Sequence, residues 1–476
     1  MSVVKTRLSH LFWVFFERFG LVGLSIISFL LYAQYLTPEE MGLGILLLAL
    51  VELCSAFTIA IVDNSIIRLR EMTPEQDGTS FWSLVGFSTL LAVLIYTGYW
   101  FYFDDPRTRL IGLLAVTALP FQVSERLHIV HLRKQKKFKK LANRTLIGKL
   151  SGIFAGVSLA ISGFGDFAIV MQTVTMAMVS ATILLVIEKR QLPFTFDRRF
   201  VIEQLGVGVP SSIKVMNMTV FMKGIVLLIE SALGTAFVGY YNFALRLVEL
   251  PRTALLSALM GYANPVYASR NNAGKPLDVF FLQSTKFALL VIMPCFVGLS
   301  LVADPLIRLI FGEKWVNAIT MLQGISAITA FNLFFMFLPS CLIAYGKTKL
   351  GLKGQILASI AGLLTVVFFI NDIGLISVIY GLLLRTFVSF IVNLVVLQKI
   401  FVVSTKDFMN YCKLPIVGCT AMFAGVFLLN NYVDFTSLLI EIITEVAVGT
   451  LCYLISIFLL ERRIIQEFSG FIKAKA

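Results

Sequence analysis

The chain has 476 residues, of which 58% are hydrophobic and 14% charged, and it carries a formal net charge of +13. Soluble globular chains are about 45–50% apolar and about 25% charged, so this composition excludes a soluble enzyme, a disordered chain and a fibrous protein. In a soluble protein the basic excess would point to nucleic acid; in a chain this apolar it is first read against the Lys and Arg that membrane proteins keep in their cytoplasmic loops, and no nucleic-acid partner is expected.

From the N-terminus onward, Glu17 and Arg18 interrupt the first apolar run, so no cleavable signal peptide is expected. A helix needs about 20 apolar residues to cross a bilayer. Fourteen such segments are expected, at 12–35, 41–62, 81–103, 110–130, 145–162, 167–188, 207–230, 236–262, 279–302, 317–344, 352–371, 373–400, 411–430 and 436–460. The fold class is therefore an all-α polytopic membrane protein. The stretches 36–40, 163–166 and 231–235 read as tight turns.

With the N-terminus in the cytoplasm, 27 Lys and Arg residues fall in cytoplasmic segments and 4 on the opposite side, namely Arg107, Arg109, Arg308 and Lys314. That bias predicts both termini in the cytoplasm, with the run at 131–140 as the strongest orienting element. Nine basic residues are left inside or at the edges of spans: Arg18, Arg126, Lys149, Lys214, Lys223, Arg246, Arg252, Lys286 and Arg385.

An internal repeat relates the two halves. Leu36, Gly42 and the run Val51 to Leu53 recur 197 residues later as Leu233, Gly239 and Val248 to Leu250. Asp105-Pro106 with Arg109 recurs as Asp304-Pro305 with Arg308, and Lys137, Lys139 and Gly152 recur as Lys347, Lys349 and Gly362. Because six helices separate the copies, both halves enter the membrane from one side, and the repeat axis runs along the membrane normal. The expected organisation is a six-helix lobe over 1–200, a second over 201–405, and two extra helices with a cytoplasmic tail over 406–476.

A charge at mid-bilayer costs about 2.5–3.5 kcal/mol even on insertion scales, so it faces a cavity or a partner. At 1.5 Å per residue, Arg246 lies roughly 15 Å and Arg385 roughly 18 Å into their spans, and Arg18 and Lys214 roughly 9–10 Å from the cytoplasmic face. Lys223 is expected to reach the outer surface or to pair with Glu230, and Arg246 is spaced to neutralise Glu249 at i, i+3. The acidic set is Glu17, Glu52, Glu249, Glu441 and Glu445, with Glu441 and Glu445 expected to face the thirteenth span or the bundle. Pro251 and Pro294 are expected to bend their helices. Cations outnumber carboxylates, so the interior suits an anion, and Arg grips phosphate with a planar fork. The six cysteines form no CxxC pair and the three histidines form no ligand cluster, so neither metal nor cofactor is expected.

Several motifs resemble those of a known family: Tyr35 to Gly42 after the first span, Phe81-Trp82 opening the third, Gly239 to Arg246 in the eighth, and Phe311 to Trp315 before the tenth. Together they resemble the polysaccharide-export branch of the multidrug/oligosaccharidyl-lipid/polysaccharide (MOP) exporter superfamily, the bacterial oligosaccharide flippases. The resemblance implies two six-helix lobes around a V-shaped cavity and alternating access. It also implies passage of undecaprenyl-pyrophosphate-linked glycans between leaflets of the bacterial cytoplasmic (inner) membrane. Basic cavity residues on helices 1, 2 and 8 of that family match Arg18 and Arg246 here, whereas helix 2 offers only Glu52. The expected substrate-binding set is Arg246, Arg18, Lys214 and Arg385, with Glu17, Glu52 and Glu249 as coupling or counter-ion carboxylates. Expected partners are the lipid-linked oligosaccharide, membrane lipid, and polysaccharide polymerase and chain-length proteins. Two other readings compete. A cation-coupled drug or metabolite antiporter of the same fold would use Glu17, Glu52 or Glu249; a membrane polymerase would need a large external loop, and the longest, 303–316, is short.

Overall fold

The computed structural model describes residues 2–69, 72–188, 190–401 and 403–461, apart from the side chains of residues 2–11, 14, 15, 64, 258 and 262. The basic C-terminal tail, Arg70 and Lys189, all counted above as cytoplasmic charges, lie outside the described residues.

Among the described residues there are helices and no strand. They are α1 (Ser2–Tyr35), α2 (Pro38–Ile66), α3 (Pro74–Tyr102), α4 (Pro106–Lys134), α5 (Phe138–Ile161), α6 (Gly165–Ile187), α7 (Arg198–Leu233) and α8 (Thr235–Asn272). After these come α9 (Asp278–Leu301), α10 (Ala303–Phe311), α11 (Ile319–Asn332), α12 (Leu338–Ala344), α13 (Leu352–Ile373), α14 (Ile376–Ile400), α15 (Thr405–Tyr432) and α16 (Leu438–Leu460).

The tight turns have local causes. Thr37 and Glu40 form a capping box, the Glu40 amide donating to the Thr37 hydroxyl at 3.2 Å and the Thr37 amide to Glu40 Oε2 at 2.8 Å, with Pro38 as the first helical residue. Gly163 and Gly234 end α5 and α7 with φ of +83° and +94°, a region open to glycine at no steric cost.

Thirteen helical stretches of the described chain are long and apolar enough to cross a membrane. The fourteenth expected span lies in α8, which is long enough at 38 residues but carries Arg246, Glu249 and Arg252 close together. The expected continuous helix at 317–344 is broken into a 3-10 turn (Glu313–Ala318), α11, a second 3-10 turn (Leu333–Phe335) and α12. Pro339, near the start of α12, has no amide proton for the carbonyl one turn back, which ends the α-helical ladder there. The stretch 131–144, read as a loop, is mostly helical: α4 runs on to Lys134 and α5 begins at Phe138.

The chain divides into two compact units, residues 1–242 and 243–476, parted within α8. In the first, α2, α4 and α6 bury Leu47, Val51, Ile111, Ala115, Leu119, Val123 and Val170. Here α5 lies on α6, and α7 on α2. A methyl on Gly152 would come within 2.5 Å of the Gln172 carbonyl, so α5 and α6 approach backbone to backbone. In the second unit α13 and α14 do the same, Gly381 lying against the Gly362 carbonyl at a built-methyl distance of 2.6 Å. Gly152 and Gly362 are repeat equivalents. The α15–α16 hairpin packs on α9, where the Tyr453 hydroxyl donates to the Leu290 carbonyl at 2.6 Å.

Three of the motifs noted in the sequence serve packing. Trp315 is fully buried and stacks on Phe243 with centroids 4.1 Å apart, Phe311 meeting the same ring edge-on at 4.9 Å. Trp82 donates to the Leu192 carbonyl at 3.3 Å.

Candidate functional site: the unpaired cations of the membrane helices

The nine basic residues of the spans sort by their partners. Arg126 on α4 grips Asp63 on α2 with two bonds, of 2.7 and 2.5 Å. Lys286 on α9 pairs with Glu461 at 2.8 Å. Lys223 on α7 pairs with Glu52 on α2 rather than with Glu230 or the outer surface. Packing is the reason: α7 lies along α2, which brings a carboxylate to Lys223 from outside its own helix, while Glu230 accepts from the Thr235 hydroxyl at 3.4 Å. Glu249 is taken by Arg252, at 2.9 to 3.0 Å through both carboxylate oxygens, and so does not neutralise Arg246.

Of the other five, Lys149 is buried within α5, and Arg385 is half-buried with its Nε 3.3 Å from Ser359 Oγ on α13. Arg18, Lys214 and Arg246 are all exposed, and among the described residues none of the three has an ion pair or hydrogen bond. The first unit holds Arg18 on α1 and Lys214 on α7; the second holds Arg246 on α8 and Arg385 on α14. Arg246 lies eleven residues past the start of α8, roughly 16 Å along the axis. A guanidinium at that depth with no counter-ion requires a wet surface rather than lipid.

The expected coupling carboxylates are all engaged. Glu52 and Glu249 sit in the ion pairs above, and Glu17 Oε1 is 2.9 Å from the hydroxyl of Thr145 on α5. Glu445 is buried and accepts from Asn430 of α15 at 2.6 Å, facing the helix it was expected to face. The Glu52–Lys223 pair is partly exposed, with side-chain accessibilities of 44% and 20%, so water screens it. Glu52→Ala and Lys223→Ala are expected to show a coupling of about 1 kcal/mol in a double-mutant cycle of thermal unfolding in detergent. Strict additivity would show that the pair is not formed in the protein.

A second charged group was not anticipated. Asp77, in the first turns of α3, accepts from His131 Nε2 of α4 at 2.9 Å and from Arg190, which follows α6. Around it, Glu188 pairs with Lys137 at 3.8 Å and Glu125 with Arg144. The basic run at 131–144 is therefore partly neutralised. No spacing rule joins these residues; only the acidic Asp77 after a Thr73-Pro74 helix start hinted at anything beyond a loop.

These features define a polytopic helical transporter, and comparison with known proteins agrees. The family profile described as Polysaccharide biosynthesis protein matches residues 31–320. The succinoglycan biosynthesis transport protein ExoT of Rhizobium meliloti (strain 1021) is 22% identical over 99% of this chain and 96% of its own length. The teichuronic acid biosynthesis protein TuaB of Bacillus subtilis (strain 168) is 23% identical over 95% of each. The backbone matches the inward closed conformation of the lipid II flippase MurJ with a TM-score of 0.71 at 18% identity, covering 96% of this chain and 100% of that one. The chain belongs to the polysaccharide biosynthesis protein family, within the MOP superfamily of transporters.

Proposed function

We propose that the protein carries an undecaprenyl-pyrophosphate-linked oligosaccharide repeat unit across the bacterial cytoplasmic membrane by alternating access, for surface polysaccharide assembly. One observation supports this above the rest. Once ion pairs are assigned, three of the cations that remain, Arg18, Lys214 and Arg246, are exposed and without counter-ions among the described residues. Their unmet charge suits a pyrophosphate, which offers several acceptor oxygens to guanidinium and ammonium donors. Arg385, tied to Ser359, is a weaker contributor. In this reading both termini are cytoplasmic, and residues 1–200 and 201–405 are the two repeat lobes that alternate. The drug-antiporter reading is disfavoured because Glu52 and Glu249, two of the carboxylates it would use, are held by Lys223 and Arg252.

The test is deletion of the gene in its own host, followed by mass spectrometry of the lipid fraction. Lipid-linked oligosaccharide is expected to accumulate with the glycan unpolymerised. Normal surface polysaccharide and no lipid-linked intermediate would refute the assignment.

A further inference from the structure

The connector between α6 and α7, residues 190–197, is turned inside out for a loop in water. Thr195 faces inward: its hydroxyl donates to the Glu75 carbonyl at 3.0 Å, and its carbonyl accepts from the Thr79 hydroxyl at 3.3 Å. The residues on either side, Phe194 and Phe196, are 87% and 71% exposed. Alternate side chains of an extended segment face opposite ways, so turning Thr195 inward commits both phenyl rings to the outside. The backbone is closed off as well. The Leu192 carbonyl accepts from the Trp82 indole at 3.3 Å, the Pro193 carbonyl from the Thr195 amide at 2.8 Å, and the Asp197 amide donates to the Thr79 hydroxyl at 3.2 Å. Irregular backbone needs such internal partners where water is scarce.

The level of the connector follows from α3. Its contacts there fall on residues 75–82, where the polar first turns of the helix give way to the apolar run that opens with Phe81-Trp82. Trp82 is also exposed and meets Phe194 edge-on with centroids 5.2 Å apart. Aromatic rings gathered where a span meets water belong at the depth of the lipid headgroups. Directly after the rings come Arg198 and Arg199, both exposed. Among the described residues neither has an ion pair, even with Glu203 one turn further on. They stand in the first turn of α7, which holds no acidic residue and where the helix dipole disfavours a cation. Asp197, just before them, accepts from the amides of Arg199 and Phe200 at 2.8 and 3.2 Å. Two cations in a locally unfavourable place suit an anion supplied from outside the protein.

We propose that this connector is a binding surface for anionic phospholipid. Arg198 and Arg199 hold the headgroup phosphate, while Phe194, Phe196 and Trp82 seat in the glycerol and upper acyl region of the same leaflet. That leaflet lies at the end of the first unit that carries the basic 131–140 segment, since Lys137 pairs with Glu188 where the connector begins. The surface goes beyond the flippase reading, because its ligand is bilayer lipid and not cargo.

The test reconstitutes the full chain in phosphatidylcholine nanodiscs with a minor fraction of phosphatidylglycerol. Bromine is placed on the acyl chains either of the phosphatidylglycerol or of an equal fraction of the phosphatidylcholine. Bromine quenches tryptophan at contact distance, and the difference between the wild type and Trp82→Phe isolates Trp82 from the other tryptophans. Brominated phosphatidylglycerol is expected to quench Trp82 with at least about fivefold the quenching constant of brominated phosphatidylcholine, the enrichment that one basic residue gives at an anionic surface. Arg198→Gln combined with Arg199→Gln is expected to bring the two lipids level. Should that variant fail to reconstitute, salt decides on the wild type. About 1 M sodium chloride shortens the screening length to about 3 Å, and it is expected to level the two lipids while quenching by brominated phosphatidylcholine persists. Equal quenching by both lipids in the wild type at low salt overturns the proposal, as does a preference that survives both the substitutions and the salt. A preference abolished by adding undecaprenyl pyrophosphate would assign the surface to cargo and overturn it too.

Discussion

Arg246→Ala is expected to cut export at least about tenfold at limiting cargo while the protein still reaches the membrane in normal amount. Arg246 is the deepest of the three cations that have no counter-ion among the described residues, and the neighbouring carboxylate that would have masked it, Glu249, is occupied by Arg252. A bidentate bond from guanidinium to phosphate is among the stronger polar contacts available to a protein. Losing a hydrogen bond to a charged group costs about 1.5–3 kcal/mol, which corresponds to at least about tenfold in transport at limiting cargo. Arg246→Lys keeps the charge and loses the fork, so it should fall between the two. Membrane integration should not suffer in Arg246→Ala, because an exposed cation with no internal partner leaves nothing unsatisfied when it is removed. The measurement is accumulation of lipid-linked oligosaccharide in a deletion strain complemented with each variant, with protein level read by immunoblot. Full complementation by Arg246→Ala would sink the phosphate-binding role.

How far the sequence speaks depends on which interactions are local. The spans and the short turns were readable because hydropathy and helix caps are written within a few residues: Thr37, Pro38 and Glu40 announce α2 outright. The helix ends were less readable. Hydropathy marks where the bilayer ends, not where the backbone ladder ends, so α4 runs through Arg133 and Lys134 well past its apolar stretch. The cations were readable as a set, because each is anomalous where it stands. Their partners were not. Arg126 and Asp63 are 63 residues apart, and Arg190 and Asp77 are 113 apart, so only the packing of helices shows which charges cancel. Arg246 could be suspected from its depth alone, but its freedom could be established only by finding Arg252 on Glu249.

The cluster around Asp77 carries the second large prediction, Asp77→Ala. The Asp77 side chain is only 4% accessible, and it satisfies His131 and Arg190 together. Removing a buried carboxylate from its ion pair costs about 3–5 kcal/mol, because the cation left behind has lost its compensation. Arg190 retains 26% accessibility and can turn partly toward water, which places the loss near the lower end of that range. The consequence reaches beyond stability. The segment from 190 to 197 joins α6 to α7, and α3 straps it down at several points. Asp77 holds Arg190, Trp82 holds the Leu192 carbonyl, Gly78 lies against the Pro193 carbonyl, and the Asp197 amide donates to the Thr79 hydroxyl at 3.2 Å. Cutting the first strap should therefore lower the midpoint of thermal unfolding in detergent and speed tryptic cleavage after Arg190. Asp77→Asn keeps hydrogen-bonding atoms and loses the charge, so it should fall in between. Adding Arg190→Met to Asp77→Ala should recover part of the lost midpoint, because it removes the orphaned cation. A double substitution no more stable than Asp77→Ala would mean that Asp77 acts by capping the start of α3 rather than by holding the connector.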